Sequence, residues 1–215
     1  MKVIITGTTG YVGEGVLLSC LDNPEITEVL SVSRRSTGRT HPKLKELLIK
    51  DFMTLSNGDE HLQGYDAVFY CMGVSSVGMN EKDYSVPCHD IPVHFAGVIE
   101  QRENTTFIYV TGGGAELDPD SKTIWARVKG KTEMEIKAMG FKNYYGFRVM
   151  VMKPYEGQAA SPKTIRMSQI MYPIMRIFGQ TNTMDEVAKA MIACAKGNCD
   201  HYAVTVKDVT NLARK

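Results

Sequence analysis

The sequence predicts an α/β protein with a doubly wound parallel sheet, and three observations predict it. Short β-branched or aromatic runs alternate with segments of helical periodicity from Met1 to about residue 149, as strand–helix–strand units do. The first run, Lys2-Val3-Ile4-Ile5, leads straight into the stretch TGTTGYVG at Thr6–Gly13. A later run, Asp66 to Met72, ends on Gly73.

Glycines 7, 10 and 13 fall on a strand-to-helix turn, because Val16, Leu17, Cys20 and Leu21 then recur at helical spacing until Asn23-Pro24. In this setting GxxGxxG has a physical meaning. Gly7 permits the tight turn, Gly10 clears space for a pyrophosphate, and Gly13 lets the helix pack on the strand. Thr9, Tyr11 and Val12 belong to the same cradle, where N–H groups of the first helical turn face the phosphates. The stretch predicts a dinucleotide site on a Rossmann-type sheet.

Composition narrows the alternatives. With 25 basic and 24 acidic residues the net charge is +1, so no bulk field draws the chain towards nucleic acid or a membrane. The apolar runs fall short of a membrane span. Met1 leads directly into the first strand, and the expectation is a cytoplasmic protein. Its five cysteines form no CxxC pair and its five histidines no HxxxH pair. Buried thiols in a reducing compartment, and no metal site, follow. Met167, Met171 and Met175 are expected to fill the core.

The second strand is Glu28–Ser33. About 20 residues past a glycine motif, NAD-preferring folds carry an acid for the ribose 2′-hydroxyl. Here Arg34 and Arg35 follow Ser33, with Arg39 further on. Two guanidinium groups suit a 2′-phosphate, so NADP is expected, with NAD as the lesser option. A third strand ends near Lys50. Asp51 and Phe52 follow it, where adenine would lie; Asp51 either accepts from the adenine amine or caps the next helix. Ser56–Leu62 reads as a short helix closed by Gly64. The strand at 66–73 brings Cys71, Met72 and Gly73 to the cofactor ribose.

Val74 to Asp83 is small and polar, a substrate or lid loop. A helix from Asp90 to Gln101 follows, with Pro87 confined to its start. Thr106–Thr111 is the fifth strand, broken by three glycines at 112–114. Ile124–Met139 is a helix with Trp125, Val128 and Lys129 on one side, and Tyr144–Val149 a sixth strand. Beyond it, Lys153–Lys163 is a connection and Ile165–Phe178 a buried or half-buried helix. Thr183–Glu186 resembles a capping box opening a helix to about Lys196. A short strand at Tyr202–Val206 and a terminal helix from Asp208 end the chain. One domain over 1–215 is expected, with a dinucleotide-binding core at 1–150. The extension at 151–215 walls one side of the substrate cleft and is too small to stand alone.

These motifs resemble an atypical short-chain dehydrogenase/reductase, nearest the Tat-interacting-protein-like, NmrA-like and NAD-dependent epimerase-like branch. The resemblance rests on TGTTGYVG paired with YCMG, then on VTGGGA, WARVKGKTEMEI and the final FRV strand. It implies the strand order 3-2-1-4-5-6-7 and NADP at the carboxyl edge of the sheet. In active members a tyrosine exchanges a proton with substrate oxygen. A lysine four residues later holds the nicotinamide ribose, and a serine polarises the carbonyl. Lys129 matches the lysine. The serine position falls at Thr111 or Gly112, of which only Thr111 bears a hydroxyl. Residue 125 is Trp where the family has Tyr, and an indole N–H does not ionise at physiological pH.

Two functions follow. One is an NADP-dependent oxidoreductase or epimerase-like enzyme acting on a small carbonyl or hydroxyl compound, with Lys129, Thr111 and Trp125 at a non-standard site. Its proton would be handled elsewhere, Tyr84, His89 and His94 being placed where a side chain could enter the cleft. The other is a catalytically silent NADP-binding sensor or interaction module. Neither needs a partner beyond a small molecule, and the oligomeric state stays open.

Overall fold

The computed structural model describes residues 1–112, 121 and 123–214. Its strands are β1 (Lys2–Thr6), β2 (Glu28–Ser33), β3 (Leu44–Leu48), β4 (Ala67–Tyr70), β5 (Thr106–Val110), β6 (Asn143–Arg148), β7 (Val151–Lys153), β8 (Thr181–Thr183) and β9 (Ala203–Thr205). Seven of them form one parallel sheet in the order β3-β2-β1-β4-β5-β6-β9, and β7 pairs with β8 apart from it. This is the expected doubly wound α/β arrangement, with β9 as the seventh strand. Thr6 is level with Val32 on one side and Tyr70 on the other. The carboxyl ends of β1, β2 and β4 therefore share one edge.

The helices are α1 (Tyr11–Asp22), α2 (Glu81–Ser85), α3 (Ile91–Gly97), α4 (Ile124–Lys137), α5 (Pro162–Ile177), α6 (Met184–Ala195) and α7 (Val206–Leu212). Strand side chains alternate between two faces. Val3, Ile5, Phe69 and Phe147 join a core with α1, α6 and α7. Ile4, Val68, Tyr70 and Phe107 join Phe95 of α3 and Ile136 of α4 on the other face. Because both faces are covered, β1 and β4 read as unbroken apolar runs rather than alternating ones.

Three expectations need correction. The helical stretch begins at Glu81 instead of Asp90, and Pro87 lies inside it, on a π-helical turn at Val86–Asp90 joining α2 to α3. Pro92 has no N–H to give one turn back, and the Cys88 carbonyl instead accepts from Tyr109 Oη (2.8 Å) and Thr132 Oγ1 (2.9 Å). Side chains from two other elements thus satisfy what proline cannot. Between Ser56 and Leu62 only Glu60–Leu62 is helical, as a 3-10 turn capped by Asp59. The third correction concerns α5, whose buried residue is Ser168; Met167 lies exposed and Met171 and Met175 only half-buried. The helix rests on the small β7–β8 pair, which is too narrow to cover more than one side.

The capping box at Thr183 and Glu186 is present, opening α6. Gly15, in the middle of α1, faces it closely, since a Cβ there would stand 2.6 Å from Met184 Cγ.

Candidate functional site

At the carboxyl edge, the turn after β1 opens a cleft of about 460 Å³. Gly7 sits at φ +69°, and a Cβ on it would meet the Met72 backbone at 2.9 Å. The turn is closed by Gly10 N–H donating to Gly7 O at 2.8 Å. A Cβ on Gly13 would approach Gly7 O to 2.2 Å. Gly13 is therefore where α1 lies against the turn. Gly10 differs, because its Cβ would meet only Gly7 O, at 3.2 Å, and otherwise point into open space. That open cradle at a helix N-terminus fits a pyrophosphate.

Thr9, Gly10, Tyr11 and Val12 line this cleft with Gly7, and so do Arg34, Arg35, Cys71, Met72, Gly73 and Lys129. The structure brings together residues from β1, β2, β4 and α4 that are far apart in sequence. Gly13 supports the cradle from behind without lining it. Asp51 and Phe52 lie elsewhere. Asp51 accepts from Met53 N–H at 2.9 Å, capping a 3-10 turn. Phe52 is 2% exposed, its ring 5.9 Å from that of Phe95. The chain after β3 turns into the core at Phe52, and Asp51 takes the capping role that was the alternative to an adenine contact.

A second hollow of about 320 Å³ adjoins the first, sharing Val74, Ser75 and Lys129 with it. Ser76, Tyr84, Thr111, Gly112, Trp125, Val149 and Met150 complete its wall. Trp125 and Lys129 do share one face of α4. Lys129 Nζ donates to Thr111 O at 2.7 Å and to Val110 O at 3.3 Å. Burial pulls its ammonium below the usual lysine range. An ammonium has three donors, so two bonds to carbonyls leave one N–H for a ligand. The Thr111 hydroxyl donates to Phe147 O at 3.3 Å. Trp125 is half-buried against Tyr84, Cys88 and Val128. The rest of the VTGGGA turn, from Gly113 on, lies outside the described residues.

Of the three residues considered for proton handling, only Tyr84 reaches the hollow. Burial, with Cys88 beside it, raises its phenol well above the usual range. His89 pairs instead with Asp90 (2.8 Å) and Glu135 (3.2 Å), and His94 Nε2 meets Leu55 O at 3.1 Å.

Several residues that support the site carried no motif. Thr6 Oγ1 accepts from Cys71 N–H (3.2 Å) and Met72 N–H (3.3 Å), fastening the ends of β1 and β4 together under the cleft. Glu14, in the first turn of α1, accepts from Arg39 (2.7 Å), Ala159 N–H (2.8 Å) and Ala160 N–H (2.5 Å). Arg39 is thus engaged, and the cleft's cations are Arg34, Arg35 and Lys129. Glu133, fully buried one turn beyond Lys129, pairs with Arg148 at 3.2 Å. Its burial raises the carboxyl against the pull of Arg148, Thr111 and Lys129. Gly146 is the sequence signal for it: a Cβ there would stand 2.8 Å from the Glu133 carboxyl.

Residues 3–91 match the NAD dependent epimerase/dehydratase family. Among curated proteins, the chain is 25% identical over 160 residues to Protein fmp52, mitochondrial, of Emericella nidulans, covering 71% of this chain and 65% of that protein. It is 22% identical over 157 residues to Protein FMP52, mitochondrial, of Saccharomyces cerevisiae, covering 72% and 64%. The chain thus spans about two thirds or less of these relatives' length. Their names correct the cytoplasmic expectation, because each is designated a mitochondrial protein. That expectation rested on the first strand's position, which says nothing about address.

Among solved structures, the fold is similar to UDP-N-acetylglucosamine 4-epimerase from Methanobrevibacter ruminantium M1 in complex with UDP-N-acetylmuramic acid. The TM-score is 0.67 at 17% identity, over 95% of this chain and 75% of that one. It is also similar to the Bordetella bronchiseptica enzyme WbmH in complex with NAD+, with a TM-score of 0.64 at 15% identity, over 98% and 79%. The family match supports a nicotinamide dinucleotide as the cofactor type. With its glycine turn and strand order, the chain has a Rossmann-type fold, and its residues 3–91 match the NAD dependent epimerase/dehydratase family.

Proposed function

We propose that the chain binds NADP(H) and acts as an oxidoreductase or epimerase-like enzyme on a small carbonyl or hydroxyl compound. The observation that carries this reading is the position of Lys129. Its Nζ stands where the two hollows meet, fixed by Thr111 O and Val110 O. One hollow then takes the nucleotide and the other the substrate. When bound, the nicotinamide supplies or receives a hydride. Lys129 directs its remaining N–H at the ribose. Arg34 and Arg35, both exposed at the cleft's far end, meet the 2′-phosphate. Trp125 narrows the substrate hollow and cannot give up a proton. Tyr84 is the hydroxyl-bearing aromatic on the same wall, and in this reading it donates to the substrate oxygen.

The packing of Trp125 against Tyr84 and Val128 favours a second reading, a nucleotide-binding sensor with no turnover. NADPH oxidation with a panel of small aldehydes and ketones separates the two. Turnover that falls in Tyr84→Phe and Lys129→Met variants supports the enzyme. Nucleotide binding with no turnover of any carbonyl supports the sensor. The names of the relatives lead us to infer a mitochondrial location, which fluorescent tagging of the chain in cells tests directly.

A further inference from the structure

The most prominent feature outside the cleft is the outer face of α5. Met167 is 60% exposed, Ile170 57%, Ile174 50%, Ile177 82%, and Phe178 at the helix's end 69%. Successive spacings of three, four, three and one set these side chains along a single stripe. Scattered surface apolar residues are ordinary; a contiguous stripe of large ones marks a contact surface. The helix's other side is occupied, with Ser168 Oγ bonded to Met152 O on β7.

Charge identifies the occupant. From Pro162 to Phe178 the sequence has Lys163, Arg166 and Arg176 and no acidic residue. At about 100° per residue, Lys163 stands in line with the stripe at its amino-terminal end and Arg166 borders it, while Arg176 faces well away from it. Among the described residues none of the three is in an ion pair. A net charge of +1 for the whole chain hides this local asymmetry. A second copy of the same face would bring like charges together with no acid to answer them. An anionic lipid surface complements both the stripe and its cations.

We propose that α5 lies in the interface of an anionic bilayer, its isoleucines at the acyl boundary and its cations among the headgroups. The contact is peripheral, since no described helix is long and apolar enough to cross a membrane. Ser161 and Thr164, at the amino-terminal end of the same helix, line the nucleotide cleft. Docking therefore sets the cleft beside the lipid surface.

Co-sedimentation of the full chain with vesicles tests this. Phosphatidylcholine vesicles should leave the protein in the supernatant, and vesicles also containing phosphatidylglycerol should carry it down, less so at high salt. An Ile170→Gln, Ile174→Gln, Ile177→Gln variant keeps charge and helix propensity and should lose vesicle binding. Its far-UV circular dichroism and nucleotide affinity should be unchanged, which separates docking from folding and from the cleft. Lys163→Gln and Arg166→Gln should each weaken binding about fivefold. A wild type that ignores anionic vesicles, or a triple variant that still binds them, overturns the proposal. So does a wild-type dimer that the triple substitution turns into a monomer, which would make the stripe a self-interface.

Discussion

At the glycine-turn end of the cleft the backbone makes the site, and at the Lys129 end side chains make it. The turn at 7–13 needs three absent Cβ atoms, each for a different contact: the Met72 backbone, open cleft and Gly7 O. Such a site either has its glycines or fails. At the other end Lys129 rests on two carbonyls, and the residue one turn before it is Trp125. A side-chain site can lose one function and keep another. The turn holds a nucleotide through backbone alone, whereas proton transfer depends on which side chain stands beside Lys129.

The two glycines at the turn sharpen that contrast most. Gly10→Val places its side chain in the open cradle, at φ −106°, where the backbone is unstrained. Nucleotide binding should vanish in titrations followed by Trp125 fluorescence, because several phosphate bonds of about 1.5–3 kcal/mol each are blocked together. Far-UV circular dichroism should stay unchanged. Gly13→Val should instead lower the melting temperature, since its Cβ meets backbone at 2.2 Å. If Gly10→Val melts like Gly13→Val, the division between cradle and support is wrong.

Trp125→Tyr probes the other end. A phenol four residues before Lys129 creates a tyrosine–lysine pair on one helix face, and the buried ammonium would favour its ionisation. In a Tyr84→Phe background, where the proposed donor is gone, adding Trp125→Tyr should raise carbonyl reduction by about 10²–10⁴-fold, as general acid catalysis supplies. If the double variant is no faster than Tyr84→Phe alone, a phenol at position 125 does not reach the substrate oxygen.

Most of this contrast was legible in the sequence, but unevenly. Gly7, Gly10 and Gly13 announce themselves because backbone geometry permits no other residue. Lys129 and Trp125 were placed by helical spacing. Phe52 turns into the core, because a strand's end does not reveal which way the chain turns next. The start of the α2–α3 stretch is hidden because Pro87 reads as a helix entry, while the bonds that rescue the Cys88 carbonyl come from Tyr109 and Thr132, 21 and 44 residues away. On α5, periodicity reports an apolar face without saying what covers it. Glu133 stayed hidden because its partner Arg148 is on another element.

Arg34 and Arg35 give a smaller effect at the glycine end. The double Ala variant should lose about 1.5–3 kcal/mol of NADPH affinity and leave NADH affinity nearly unchanged. Neither side chain is packed in the core, so stability should not move. Equal loss for both nucleotides would place the arginines on the pyrophosphate instead.

The smallest effect concerns the protonation of Lys129, where binding and stability should respond to pH in opposite directions. Burial lowers its folded pKa, while in the unfolded chain it titrates near about 10.4. Between those values the native state has released a proton that the unfolded state keeps. The unfolded state then binds more protons, so this group's contribution to stability rises with pH through that window. It is complete above the unfolded value and lost as pH falls through the folded one. Nucleotide affinity should run the other way, because the neutral amine no longer attracts a ligand oxygen as an ammonium does. The expected loss is about two- to tenfold, the weight of one hydrogen bond. Other groups titrate in the same range, so the measure is the difference from Lys129→Met across the alkaline range. In that variant both slopes should flatten. If the wild type's affinity is flat while its stability rises, Lys129 is a buried support of Thr111 and Val110, and the ribose contact belongs to another residue.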